Sequence, residues 1–439
     1  MWGKPEEVEL GGGSFNLVYP IKVGPSGNVW TEPVYFYVGS GTWRNVSRIW
    51  RKIFAKSPAD YGGETARHTM PVRVEASPLI LSGGESIAIR LENLRLRPQG
   101  GTIRLQPPEG WKAEPTELQV EGLNLDKPAS YTVQLKPQCR PGAYRLRAEL
   151  SLQGMVEKVD IPLLLAGGHG EVKVSSGEYE GTPVLRVDNG YLEYMVGARA
   201  GAPLFSLKAG GEELLKSSYP KPRPYSWYGS WLGGICLFGA KETRWRWSLQ
   251  KEEWNIEKAE WKGFKGVSAE CTPVREEHRE LFGLKLRVEY LTKSLARFLL
   301  VRMTVENETM AWRSLTPVLG IFPRVTRPGG EYRYIFPADV EITRRQGRYY
   351  AFAQAPGNYL IVYNTAGWPY ITLATDGKAK ATMSDDADGS GGNLIASGTY
   401  RLKPKEKKTY SMLLAVSENI TEARNYSLLA KHPVDSWFR

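Results

Sequence analysis

The sequence predicts a mostly β protein with two sandwich-forming regions and one short amphipathic helix near the N-terminus. Three observations predict this. Apolar and polar residues alternate in short runs such as "ESIAIRLEN", "YTVQLKP", "GLKLRVEYLT" and "FLLVRMTVEN", and a period of two is that of a strand with one buried face. Turn formers separate the runs, with 46 Gly and 29 Pro in the chain. A single segment departs to the helical period.

A chain of 439 residues suggests two to four domains. Its 41% apolar and 24% charged residues are those of an ordinary globular protein. The net charge of +11 is scattered among acids, as at Arg275, Glu276, Glu277, Arg279 and Glu280. That texture reads as dispersed surface ion pairs rather than a nucleic-acid patch, and it is compatible with a thermophilic source. The three cysteines include no CxxC pair, which argues against a disulfide framework and a zinc site. Buried free thiols are expected, with a Cys236–Cys271 bridge the remaining alternative. "MWGKPEEVEL" has no apolar h-region and no stretch reaches the length of a membrane span. A cytoplasmic protein is therefore expected, or a secreted one if the chain is a fragment of a larger protein.

Residues 1–70 read as a β-rich segment carrying a helix over 43–56. Val46, Ile49, Trp50, Ile53 and Phe54 share one face, Thr42 or Asn45 caps the start, and Pro58 follows the end. Arg44, Arg48, Arg51, Lys52 and Lys56 cover the opposite face, which is read as solvated.

Residues 71–166 hold about seven short alternating runs, the strand density of an Ig-like β-sandwich. "SGGES", "PPEGWKAEP" and "CRPGAYRLRAEL" in this order resemble the NEW3-type Ig-like domain attached to α-galactosidases, carried by Gly110–Trp111 and Pro141–Tyr144. Residues 167–171 form a Gly-rich linker, and 172–439 a large antiparallel sandwich.

That last region resembles the galactose-mutarotase-like β-supersandwich. The likeness is carried by "DNGYLEYMV" at 188–196, "GAPLFSLKAGGEELL" at 201–215, "VRMTVENET" at 301–309 and "SGTYRLKPKEKKTY" at 397–410. The resemblance implies a concave sheet face that handles carbohydrate. It also implies a histidine acid and a glutamate base in the epimerase members, and both positions depart here. "TPVLGIFPRV" holds no histidine, and "KATMSDDADGSGGNLIASG" holds aspartates but no glutamate. The implied function is thus a carbohydrate-binding or glycan-processing accessory protein, possessing no recognisable catalytic motif. The alternatives are a glycoside hydrolase or aldose epimerase with a non-standard acid/base pair, and a purely structural multi-domain β-protein.

The candidate ligand site is the proline-stiffened, irregular loop "YPKPRPYSWYGSWLGGI", residues 219–235. Tyr225, Trp227, Tyr228 and Trp231 would stack on the C–H faces of a sugar, and Arg223, Arg244, Trp245 and Trp247 lie nearby in sequence. The rival role for every ring is core packing. No cofactor is expected. The oxygen-rich loop at Asp385, Asp386 and Asp388 would suit calcium, although it lacks EF-hand spacing. Glu252 is placed on a strand, sharing a face with Trp254, and His278 in an exposed polar position. The expected partner is a glycan or small sugar, not nucleic acid or a membrane span, within a larger glycan-handling assembly.

Overall fold

The structure is a computed structural model. It describes residues 7–11, 14–18, 72–94, 97–125, 127–167, 170–225, 228–240, 248–325, 330–336, 340–343, 353–354, 358–375, 379–384, 392–397, 400–432 and 434–438. The chain divides into two compact units, Met1–His68 and Thr69–Arg439. The first contributes a hairpin, Glu7–Gly11 paired antiparallel with Ser14–Val18. The helix expected over 43–56 lies outside the described residues.

The second unit is mostly β, as the alternation predicted. Its N-terminal part, between Val72 and Leu165, is a small sandwich of a four-stranded and a five-stranded sheet. After it come two larger sheets. One runs, in spatial order, Lys173–Tyr179, Thr182–Asp188, Leu192–Gly197, Leu204–Ala209, Ile235–Ala240, Arg313–Ile321, Gly392–Ser397, Ala379–Ser384, Ala353–Gln354, with two short strands added off this path. The other runs Asn255–Trp261, Phe264–Cys271, Leu284–Thr292, Phe298–Asn307, Lys407–Ser417, Gly367–Thr375, Tyr359–Asn364, Tyr332–Phe336, Val340–Thr343.

The second of these sheets is a central layer with an apolar core on each face. Along Lys407–Ser417, Tyr410, Met412, Leu414 and Val416 pack toward the larger sheet. Leu413 and Ala415 pack with the small sandwich. Phe298–Val301 behaves the same way, with Phe298 and Leu300 on one side and Leu299 and Val301 on the other. The alternation expected along "FLLVRMTVEN" does not hold at its start: "FLLV" is continuously apolar because this strand is buried on both faces.

The small sandwich is therefore packed against the large one. Leu79, Leu118 and Leu163 share a core with Phe264, Phe298, Tyr426 and Trp437. The C-terminus joins this seam. Leu79 N–H donates to Ser436 O (3.1 Å) and Ile80 N–H to Trp437 O (3.1 Å). The helix Ile420–Ser427 is N-capped by Asn419, whose side-chain oxygen accepts from Glu422 N–H at 2.9 Å. The sequence reading passed over this helix, although Asn419 followed three residues later by Glu422 is a helix-start signal. At the stretch expected to be a linker, Gly167 N–H donates to Ser294 O at 2.7 Å, so this point is fastened to the large sandwich.

Three local expectations are corrected. The loop read as irregular contains a hairpin, with Arg223 opposite Trp231 and Tyr225 opposite Tyr228. Pro224 is tolerated there because both strands of a two-stranded ribbon are edges. Glu252 is not on a strand. It follows the 3-10 turn Ser248–Lys251, and the next strand begins at Asn255. His278 is buried rather than exposed, with 2% of its surface accessible. The three cysteines are free, with Cys236 and Cys271 buried.

Candidate functional site

On the outer face of the larger sheet lies a cleft of about 390 Å³. Tyr179, Met195, Phe205 and Tyr219 form its apolar side. Lys208, Lys216, Arg223 and Arg324 bring four cations, and Glu213 a carboxylate. Strand geometry explains why consecutive residues meet here. The register slips between Met195 and Val196 opposite Leu204–Ser206. Such a bulge turns side chains that would otherwise alternate, and both Phe205 and Ser206 line the cleft.

The rings are mutually supported. Phe205 and Tyr219 stack with centroids 4.3 Å apart at 15°. Tyr179 leans on Phe205 at 4.9 Å and 45°. Phe205 and Tyr219 are each 4% exposed, so they present edges, while half-buried Tyr179 offers the accessible ring. Burial pushes the Tyr219 phenol above its ordinary pKa, against an opposing effect of Arg199. The phenol stays neutral near pH 7. Gly234 (φ +72°) allows the chain to leave this loop, because a Cβ there would stand 2.5 Å from Leu204 O.

Glu213 is held by three donors: Ser206 Oγ (2.6 Å), Leu207 N–H (2.9 Å) and Leu215 N–H (3.0 Å). It shapes the cleft wall. The cations reach the rim from separate elements, Lys208 from its strand, Arg223 from the hairpin and Arg324 from the segment after Ile321.

Of the residues singled out from sequence, Arg223 lines this cleft. Tyr225, Tyr228 and Trp231 belong by backbone to the adjoining hairpin, but their rings lie outside the described part of the structure. Trp227, Arg244, Trp245, Trp247, Asp385, Asp386 and Asp388 also lie outside the described residues. Among the described residues no group of acidic, His or Cys side chains is arranged to hold a metal ion, and no helix is long and apolar enough to cross a membrane. Sequence reasoning missed Tyr179, Phe205 and Tyr219 as a group. Tyr219 opened the quoted loop, but nothing local linked it to the other two.

Glu252 and His278 form a second cluster, away from any strand face. His278 Nδ1–H donates to Glu252 Oε1. Glu252 also accepts from Val274 N–H and Arg275 N–H, each at 3.2 Å. Burial raises the Glu252 carboxyl, but the His278 bond and the two backbone donors outweigh it, leaving the pKa below the ordinary carboxylate value. Burial and the Glu252 charge push the Cys271 thiol up to about 12. A thiol so protonated is no nucleophile. The cluster is a pin that ties the Ser248–Glu252 turn to the Val274–Leu281 connection.

No family model matches the chain, and no curated protein matches it. Among solved structures it is similar to a galactose mutarotase related enzyme from Lactobacillus acidophilus, at 11% identity over 54% of this chain and 98% of that one, TM-score 0.42. It is similar to a galactose mutarotase-like protein from Clostridium acetobutylicum, at 10% identity over 57% and 99%, TM-score 0.42. It is also similar to a TPR-domain containing protein from Parabacteroides distasonis, at 10% identity over 60% and 49%, TM-score 0.41.

Proposed function

We propose that this protein binds an acidic carbohydrate in the cleft beside Tyr179. The observation that supports this is an aromatic wall rimmed by Lys208, Lys216, Arg223 and Arg324 against the single carboxylate of Glu213. A sugar ring offers C–H faces to an aromatic surface and hydroxyls to polar groups. A carboxylate or sulfate on that sugar would find charge-assisted donors, for which guanidinium is suited. The excess of positive charge favours an acidic glycan over a neutral one. The hairpin Arg223–Trp231 borders this cleft through Arg223.

The reading is of binding, not turnover. Glu213 and Glu252 are each held by three hydrogen-bond donors, as residues that brace the fold.

Affinity-gel electrophoresis with polyuronate, sulfated and neutral polysaccharides tests this. Retardation by an acidic gel is expected, weakened roughly tenfold by Tyr179→Ala or Arg324→Ala, the loss of about one charge-assisted or stacking contact. Equal retardation of wild type and both variants would sink the assignment of this cleft. Migration unaffected by every acidic gel would sink the function.

A further inference from the structure

A second cleft, of about 420 Å³, opens between the small and large sandwiches. Both bodies build it. Ser82 comes from the small sandwich, Lys265, Lys293 and Ser294 from the large one, and Gly167, Gly170, Glu171 and Val172 from the segment joining them. We propose that this cleft is a binding site for a phosphate or sulfate group, held by Lys265, Lys293, Ser82 and Ser294. It shares no residue with the cleft beside Tyr179 and does not depend on the carbohydrate reading.

Register brings the two lysines together. Lys265 lies directly across from Thr292 on neighbouring strands, and Lys293 is the next residue. Lys293 Nζ–H donates to Ser82 Oγ at 2.8 Å and the ammonium lies 4.9 Å from the Phe264 ring centroid. Among the described residues, neither Lys265 nor Lys293 has a carboxylate within ion-pair distance, although ion pairs are common elsewhere on this sheet, as at Lys285–Glu270 (2.7 Å). Burial lowers the Lys293 pKa, with the Glu85 charge opposing. A partly dehydrated ammonium whose neighbouring carboxylates stand beyond ion-pair distance is costly, and an anion in the cleft would relieve it.

The lining also favours a compact, many-oxygened group. Two ammonium groups and two hydroxyls are donors matched to a tetrahedral oxyanion. Glycine keeps the cavity clear: a methyl on Gly170 would overlap Ser294 Oγ, and one on Gly167 would stand 2.8 Å from Leu295 Cβ. Glu171 is an exposed carboxylate in the lining and leaves the site with one net positive charge from its three ionisable residues. The volume falls in the ~300–1,000 Å³ range of small-molecule sites, so the anion has room to be carried on an organic molecule.

Isothermal titration and thermal melts of the full chain test this with inorganic phosphate, inorganic sulfate, a hexose phosphate and the unmodified hexose. Sodium chloride at matched ionic strength is the control. A rise in Tm with phosphate or sulfate above the chloride control is expected. Lys265→Glu should weaken binding at least tenfold, and Lys293→Met should do the same. Lys293→Met also removes the Ser82 bond, so Lys265→Glu, at an exposed position, separates loss of binding from loss of folding. Tighter binding of the hexose phosphate than of inorganic phosphate would identify a carried group, and the reverse a free ion. A Tm response equal to chloride, or wild-type affinity in Lys265→Glu, would overturn the proposal.

Discussion

Gly197 sits against the phenol end of Tyr219 so closely that one methyl group on the glycine would overlap the ring carbon and oxygen. Tyr219 is stacked on Phe205, and Phe205 supports Tyr179. The aromatic wall of the outer cleft therefore depends on the absence of a side chain at residue 197. Gly197→Ala should cost about 1–3 kcal/mol as an overpacking change and weaken acidic-glycan retention. The penalty should shrink in a Tyr219→Ala background, because the clash then has no partner. Denaturant midpoints of the four proteins in that cycle check this. An unchanged penalty would place the strain elsewhere.

Glu252→Gln should destabilise by roughly 2 kcal/mol, since it weakens three hydrogen bonds to one buried charge. The native carboxyl titrates below its ordinary 4.5. The unfolded chain thus binds more protons in acid, and the contribution is whole above pH 4.5 and drains as pH falls through the lower native value. Urea midpoints of the variant should accordingly depend less on pH in this range than those of wild type.

His432 makes a separate contribution to acid sensitivity. Burial, with Arg73 and Lys431 nearby, lowers its pKa from 6.5 to about 4. A histidine kept neutral in the native state contributes stability that is complete above pH 6.5 and is lost on descent toward pH 4. Tm measured from pH 7 to pH 4 should fall, and His432→Gln should flatten part of that fall. A variant profile parallel to wild type would contradict this.

Arg297 holds the C-terminal helix to the body of the protein. Its guanidinium lies 4.7 Å from the Tyr191 centroid, donates to Glu418 at 2.8 Å and stands 3.7 Å from Glu422. Burial raises the Glu422 carboxyl, and Arg297 is among the groups opposing that rise. Arg297→Met should cost about 3 kcal/mol by stranding buried negative charge. Arg297→Lys should recover part of it, keeping the charge but not the planar fork. Chemical denaturation of both variants checks the order.

The shared core predicts that the two sandwiches unfold together. Phe298 packs from the large sandwich into the core that also holds Leu79 and Leu163. Phe298→Ala should cost about 3–5 kcal/mol, and calorimetry should show the small and large sandwiches melting in one transition. A variant in which the small sandwich melts at its wild-type temperature would refute the coupling.

Strand content was legible from period two in segments such as Glu85–Asn93 and Leu284–Thr292, and the turns were legible from glycine and proline. Alternation is local, because each residue's face is set by its neighbours. Pairing is not local. Nothing in the chain placed Ile235–Ala240 beside Arg313–Ile321, or seated Leu413 and Leu414 in separate cores. Placing Glu252 on a strand and His278 in an exposed position failed for the same reason: their bond spans 26 positions, and burial depends on what the tertiary fold stacks above a residue.

By itself the sequence determined that this chain is built of short antiparallel strands, rich in rings and positive charge, with thiols unsuited to a disulfide framework. Only the tertiary structure decided which rings meet which charges. A β-bulge at Met195 and a missing side chain at Gly197 gather Tyr179, Phe205 and Tyr219 beside Arg223 and Arg324. Packing and register act between residues far apart in the chain, where sequence pattern carries no distance.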